Sequence, residues 1–341
     1  MAFVCIIPIE NTLMCVLDFR VIRGKIGVQA KNKSITLTQI ISKSWQIIRG
    51  DILMKKMKSA FFVIFAAVMS LGLAACGEKE DVVEKVELES GITAIHVDHH
   101  ERTVYGDAYI PEAESFPLVI FSHGYNGYKD DFKESAEYLM DNGVASITFT
   151  FCGSGGRDPS GFGTTNMTLF TEKEDLSVLI DYAKQIKGFN GSLYLLGGSQ
   201  GGMVSAMAAE ERAADIKGMV LLFPAFCIPD NWNNTNYPID RYPTAESIPE
   251  SIDFWGVKLG RDFVLTMRNL DIYANMADFE NPVLIMHGTK DAIVPISYSE
   301  HAVETYPNAE LVTYNGEGHG FTPATMRDVE TKLLAFVNDN P

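Results

Sequence analysis

The sequence predicts an α/β fold: a mostly parallel sheet with helices on both faces and a small cap insert. Three observations carry this. From Pro117 onward, short apolar runs alternate with helix-forming stretches, the rhythm of a parallel sheet covered on both sides. One of those runs, residues 192–196, leads into Gly197-Gly198-Ser199-Gln200-Gly201-Gly202 and then into residues 203–212, rich in good helix formers. The rhythm breaks once, over residues 224–273, where Asn, Pro and aromatic side chains collect between two strands. A structured cap over the strand ends is the natural reading of that insert.

The N-terminal stretch is a separate matter. Met54-Lys55-Lys56-Met57-Lys58 is basic, residues 60–73 (AFFVIFAAVMSLGL) are apolar, and Leu73-Ala74-Ala75-Cys76 sets small residues before a cysteine. That is the layout of a secretory signal peptide. The L-A-A-C ending resembles the bacterial lipobox. The resemblance implies that Cys76 is diacylated and becomes residue one of an extracytoplasmic, membrane-anchored lipoprotein. The competing readings are a plain signal peptide cut near Ala75 and a spanning anchor, for which the run is shorter than the ~20 residues required. Residues 54–75 are thus expected to be a lipoprotein signal peptide. Arg49-Gly50-Asp51 can be encoded as AGA-GGA-GAU, a ribosome-binding sequence ahead of an AUG for Met54. Residues 1–53 show no clear domain pattern and are expected to be an upstream mis-translation.

The first 75 residues hold ten Lys/Arg and three Asp/Glu of the chain's 28 and 44, so the remainder carries 18 and 41, a net charge of −23. Such a surface disfavours nucleic acid and anionic membranes. Of five cysteines, Cys5 and Cys15 lie upstream and Cys76 is the lipid site. Cys152 and Cys227 are too few for a disulfide framework and are expected to pack as small apolar groups. Residues 76–90 are acidic and lack aromatics, which suits a solvated linker, so the globular part is expected from Gly91 to the end of the chain.

The elements then follow in order. Residues 92–97 and 103–110 alternate as two antiparallel strands around a turn at His99-His100-Glu101. Two adjacent histidines without a third ligand read as a surface turn rather than a metal site. Residues 118–122 are a strand, 130–142 a helix, 144–151 a strand and 172–187 a helix. After the glycine turn come strands at 218–223 and 283–287, a helix at 297–306, a strand at 310–314 and a helix at 323–338.

A strand, a glycine-pinched turn carrying one serine and a helix form the setting of a G-x-S-x-G nucleophile elbow. Gly197 and Gly201 remove Cβ atoms from a tight turn, and Gly202 lets the helix pack close. A serine hydroxyl needs a base, and the base needs an orienting acid. In α/β-hydrolases the chain order is Ser, acid, His. Asp291 follows the strand at 283–287 and His319 follows the strand at 310–314, both at carboxyl ends of strands. Ser199, Asp291 and His319 are therefore the candidate triad. His287 ends a strand, His301 belongs to a surface helix, and Glu317 is too near His319 in sequence to serve easily as its acid. The backbone N–H groups of Gln200 and Tyr125 are the candidate oxyanion hole, with His123 a structural residue in the Tyr125 loop.

These residues carry a resemblance to the bacterial cinnamoyl (feruloyl) esterases of the α/β-hydrolase superfamily, over roughly residues 103–338. The loop from His123 to Gly127, the segment Phe149-Thr150-Phe151-Cys152-Gly153-Ser154-Gly155, Leu222-Phe223-Pro224-Ala225-Phe226 and Lys258-Leu259-Gly260-Arg261-Asp262-Phe263 are similar to that family's loops. The resemblance implies hydrolysis of hydroxycinnamate esters, no metal or organic cofactor, and an insert that shapes a phenolic pocket. The elbow departs from it at Gln200, where Met is common, and residues 231–251 match no specificity residues. Trp232, Tyr237, Tyr242 and Trp255 are the candidate substrate contacts, each with a competing role in the cap's own core. Trp232 is the better candidate for the substrate, and Trp255, in an expected hairpin, for structure. Peptidase, dienelactone-hydrolase and short-acyl or glycerol-ester lipase activities stay open, as does a non-catalytic, surface-tethered binding protein on the same scaffold. The expected partners are a small-molecule ester and a lipid bilayer; the oligomeric state is not legible.

Overall fold

A computed structural model describes residues 85–233, 242–268 and 270–341, together with the backbone of four strands near the N-terminus. The chain divides into two compact units, Met1–Val82 and Val83–Pro341. In the first, β1 (Ala2–Ile9), β2 (Leu13–Ile22), β3 (Lys25–Ala30) and β4 (Lys33–Ser34) form an antiparallel meander. No element pattern was expected there. The strands arise where β-branched residues recur, at Val4, Ile6 and Ile7 and again at Val16, Val21 and Ile22. The signal-peptide stretch 54–75 and Cys76 lie outside the described residues. Among the described residues no helix is long and apolar enough to cross a membrane.

The second unit is built on β5 (Gly91–His99), β6 (Arg102–Ile110), β7 (Phe116–Ser122), β8 (Ala145–Thr150), β9 (Phe189–Gly198) and β10 (Gly218–Leu222). After the cap strands β11 (Ser251–Phe254) and β12 (Val257–Gly260) come β13 (Val283–Gly288) and β14 (Ala309–Tyr314). Eight of these form one sheet in the order β14-β13-β10-β9-β7-β8-β6-β5. Neighbours from β8 to β14 run parallel, while β6 is antiparallel to both β8 and β5. The expected mostly parallel sheet is therefore present, with the hairpin of β5 and β6 at one edge.

Helices cover both faces. They are α1 (Lys133–Asp141), α2 (Leu169–Ala183), α3 (Gln200–Glu211), α4 (Ile228–Asn233), α5 (Arg261–Met267), α6 (Ser297–Thr305) and α7 (Pro323–Asp339). Each central strand feeds two cores because successive side chains point to opposite faces. Leu118, Ile120, Leu193, Leu195, Met219 and Leu221 pack with α2 and α3. Val119, Phe121, Tyr194, Leu196, Val220 and Leu222 pack with α1 and α7. A strand buried on both faces reads as a continuous apolar run, which is why the sequence showed runs without alternation.

Several boundaries differ from expectation, three of them for clear physical reasons. Helix α2 begins at Leu169, three residues early, because Thr168 and Thr171 cap each other reciprocally, side chain to backbone N–H, at 3.1 and 2.9 Å. The stretch before α1 opens as a short 3₁₀ turn, Lys129–Phe132. The acidic linker is not solvated to its end. Val86 pairs with Ile186, its N–H donates to the Gln185 carbonyl at 2.8 Å, and Leu88 packs on the core. Apolar Val86 and Leu88 alternate with charged neighbours, so this segment has one face to bury.

The cap holds α4, the hairpin of β11 and β12, and α5. Phe254 pairs with Val257, leaving Trp255 (φ 46°) and Gly256 (φ 81°) as a two-residue turn with positive φ at both positions.

Candidate active site

Strand β9 ends at Gly198 and α3 starts at Gln200, so Ser199 is the one residue between them. Its φ of 53° and ψ of −120° form a conformation that residues with a Cβ rarely adopt. The Ser199 N–H donates to the Leu222 carbonyl at 2.9 Å, and its own carbonyl accepts from the N–H groups of Gly202 and Ala225 at 3.0 and 2.9 Å. Those three bonds hold the strained turn in place. A Cβ on Gly201 would overlap the carbonyl oxygens of Ser122 and His123, so no other residue fits between the elbow and the end of β7.

Ser199 Oγ lies 2.9 Å from His319 Nε2, and His319 Nδ1 lies 2.7 Å from Asp291 Oδ2. Ser199, Asp291 and His319 come from the ends of β9, β13 and β14 and meet at one end of the sheet. Asp291 only accepts, so Nδ1 carries the proton and leaves the Nε2 lone pair facing the serine hydroxyl. Asp291 Oδ1 accepts from the N–H groups of Ile293 and Val294 at 2.9 and 2.8 Å.

The structure adds His287, which the sequence reading set aside as a strand end. It is fully buried, with Nε2 3.0 Å from the Val294 carbonyl and 3.2 Å from Asp291 Oδ2. A carbonyl cannot donate, so Nε2 bears the proton and Nδ1 accepts from Ser299 Oγ at 2.7 Å. Asp291 is thus gripped by two imidazoles and two backbone N–H groups. Burial raises its pKa, but the bonds from His287, His319, Val294 and Ile293 outweigh burial and hold the carboxyl well below the usual carboxylate range. The signal for His287 was its i, i+4 spacing from Asp291, ambiguous until the loop after β13 folded back.

The other histidines take the places expected of them. His123 Nε2 accepts from the Phe151 N–H at 3.0 Å and Nδ1 donates to the Gly124 carbonyl at 2.7 Å. Burial pushes His123 down to about 4, so it is a neutral support for its loop. His301 stacks on Tyr273 in α6. His99 and His100 sit at the β5–β6 turn, and among the described residues no cluster of His, Cys, Asp and Glu could hold a metal ion. Glu317 accepts from Thr322 and Thr325 at the start of α7 rather than from His319.

A cavity of about 340 Å³ opens on Ser199, within the range of small-ligand sites. Tyr125 and Gln200, the candidate oxyanion residues, line it beside the serine. The Tyr125 hydroxyl donates to the Phe254 carbonyl at 2.8 Å, tying the loop after β7 to the cap hairpin. Of the four cap aromatics, Trp232 and Trp255 line the cavity. Tyr242 does not; its ring packs in the cap, where its carbonyl accepts from Arg268. Tyr237 lies outside the described residues.

The roles of the two tryptophans differ from expectation. Trp232 is 2% exposed and sits between Phe254 and Phe263, with ring centroids 5.3 and 5.7 Å away. Trp255 is 60% exposed and stacks on Phe254 at 4.9 Å. The left-handed turn projects Trp255 off the hairpin tip, so it is not cap core. Phe254, Phe263 and Asn231 also line the cavity and were not singled out in the sequence. Cys227 lines it too, buried and free, while Cys152 is buried and free at the end of β8.

Comparison with known proteins matches this fold. Residues 113–246 fit the family model described as serine aminopeptidase, S33, and residues 268–339 the model described as TAP-like protein. Est1E from Butyrivibrio proteoclasticus, solved with ferulic acid bound, is 27% identical with a TM-score of 0.66, over 72% of this chain and 99% of that one. The chain is an α/β-hydrolase. A bifunctional esterase/perhydrolase, DCH, from Acinetobacter calcoaceticus is 21% identical over 259 residues, 65% of this chain and 91% of that protein. Mouse α/β-hydrolase domain-containing protein 10 shares the fold, with 19% identity and a TM-score of 0.61 over 72% of this chain and 99% of that one. Both family models describe hydrolases, which supports an enzyme of that class.

Proposed function

We propose that this α/β-hydrolase is a serine carboxylic-ester hydrolase working through an acyl-enzyme, with hydroxycinnamate-type esters as substrates. The observation that carries this is the Ser199–His319–Asp291 relay opening into a cavity walled by aromatic rings. Ser199 Oγ attacks the ester carbonyl while His319 Nε2 takes its proton, and the N–H groups of Tyr125 and Gln200 receive the oxyanion. Collapse expels the alcohol, which takes the proton from His319. Water then attacks the acyl-enzyme by the same route, releasing the acid and restoring the serine. Asp291 holds the imidazole tautomer and stabilises its charged form.

An aminopeptidase reading draws on the family model over residues 113–246. Such an enzyme needs an anion for the substrate's amino terminus, and among the described residues no carboxylate lines the cavity. That favours a neutral ester. A fluorophosphonate probe that labels wild type but not Ser199→Ala supports the acyl-enzyme, and rates on methyl ferulate, an acetyl ester and an aminoacyl amide sort the acyl group. Absence of label overturns the mechanism; faster cleavage of the amide overturns the ester assignment.

The exposed Trp255 is the ring free to lie on a flat acyl group. Trp255→Ala should lower kcat/KM for methyl ferulate about tenfold, leave the acetyl ester unaffected and leave Tm in place. Trp232→Ala should instead cost about 3–5 kcal/mol of stability as well as selectivity, because it empties a packed site. Equal losses on both esters from Trp255→Ala would remove that ring from the acyl site.

The same reading places the enzyme on a lipid tether outside the cytoplasm, drawn from L-A-A-C at residues 73–76. Cys76→Ser should abolish incorporation of a tagged fatty acid. Unchanged label in that variant would sink the tether.

A further inference from the structure

Behind the elbow lies a carboxyl group that acyl transfer does not use. Helix α2 places Glu172, Asp175, Leu176 and Leu179 on one buried face. The two acids on it are partnered differently. Asp175 receives the Arg102 guanidinium at 2.7 Å and the Cys152 N–H at 2.8 Å. Glu172, 1% exposed, receives Gln200 Nε2 on both oxygens, at 2.9 and 2.8 Å. Gln200 is the residue after the nucleophile. Tyr125, the other candidate oxyanion residue, is close enough for the Glu172 charge to act on its phenol. A buried carboxyl with no cationic partner among the described residues therefore lies directly behind the Gln200 side of the candidate oxyanion hole.

We propose that Glu172 is a positioning residue of the oxyanion hole, fixing Gln200 as a neutral acid and opposing the oxyanion once ionised. The proposal rests on the acyl-enzyme reading. Gln200 Nε2 donates toward both Glu172 oxygens, and a neutral carboxyl keeps the bond to its carbonyl oxygen, so the pair pins the first turn of α3. A carboxylate there sets negative charge behind the peptide that must receive negative charge in front.

The groups around Glu172 agree in sign. Burial is the largest influence, Gln200 opposes it and the Asp175 charge adds to it, and together they push Glu172 up to about 8. From β6, Arg102 is committed to Asp175, Glu174 and the Thr171 carbonyl. From β5, His99 faces Glu174. From α3, Glu210 turns to Tyr306 and Glu211 to Lys173. From α5, Arg261 turns to the Ala245 carbonyl. No cation among the described residues acts on Glu172.

The test is the pH profile of kcat on an acetyl ester from about pH 6 to 10, with fluorophosphonate labelling and melting run alongside. In wild type, kcat should fall about tenfold on the alkaline side, centred near pH 8. Glu172→Gln keeps a neutral partner for Gln200 and should lose that decline. Glu172→Leu removes the partner and should lower kcat about tenfold at every pH with KM unmoved; the Gln variant should recover most of that loss. A protonated-carboxyl C=O stretch should be present in the infrared spectrum of wild type at neutral pH and weaker in both variants by the Glu172 share, burial also pushing Glu210 up to about 7. The same alkaline decline in Glu172→Gln, a flat wild-type profile, or no protonated-carboxyl band would each overturn the proposal. The wild-type profile decides it even if the variants fail to fold. Wild type that takes no fluorophosphonate label marks instead the failure of the acyl-enzyme reading.

Discussion

Ser199→Ala should lower kcat by about 10⁴- to 10⁶-fold and leave the fold intact, because the proposed relay acts as a unit and would lose its nucleophile. The backbone makes a sharper version of this test. Ser199 sits at φ 53° and ψ −120°, and alanine keeps the Cβ that makes this costly. Glycine does not. Ser199→Gly should be as inactive as the alanine variant yet more stable than wild type, by about 1 kcal/mol. Chemical denaturation beside the rate measurement reads both effects. If Ser199→Gly is less stable than wild type, the elbow is not strained. If Ser199→Ala keeps its activity, another residue is the nucleophile.

Asp291→Asn should lower kcat by about 10⁴-fold, from the loss of the His319 tautomer. Oδ1 faces two backbone N–H groups and Oδ2 faces two imidazole N–H groups, so an Asn amide meets a donor pair whichever way it turns. His319 is left without a fixed proton at Nδ1. The same substitution should reshape the acid limb of stability. The Asp291 carboxyl is depressed in the folded protein, so it contributes stability that is complete above the unfolded carboxylate value of about 4. That contribution is lost as pH falls through the folded value. Asp291→Asn should thus be less stable than wild type at neutral pH, and the difference should shrink on acidification. Full activity in Asp291→Asn would move the orienting acid elsewhere.

Much of the candidate site was legible because its signals are local. The Gly-x-Ser-x-Gly turn can be read from sequence since each glycine answers a steric demand made within a few residues or by one neighbouring strand. Asp291 and His319 were legible from chain order and from their positions just past strands. His287 and Glu172 were not. His287 looks like any histidine ending a strand until the loop after β13 brings Asp291 back over it. Glu172 looks like an ordinary acid in the first turn of a helix. Only the packing of Leu169, Leu176 and Leu179 on the core shows that Glu172, on the same face of α2, turns inward.

Sequence by itself determined the sheet, the elbow and the three side chains of the candidate triad. Apolar runs that must be buried on both faces, and turns that only glycine can make, leave few other solutions. The tertiary structure decided which groups meet across long separations. It sent Trp232 into the cap core and Trp255 to the cavity rim, because the left-handed Trp255–Gly256 turn projects one ring outward while Phe254 and Phe263 enclose the other. It also joined Glu172 to Gln200 and His287 to Asp291. Such pairings depend on helix phase and loop return, which no short window of sequence encodes.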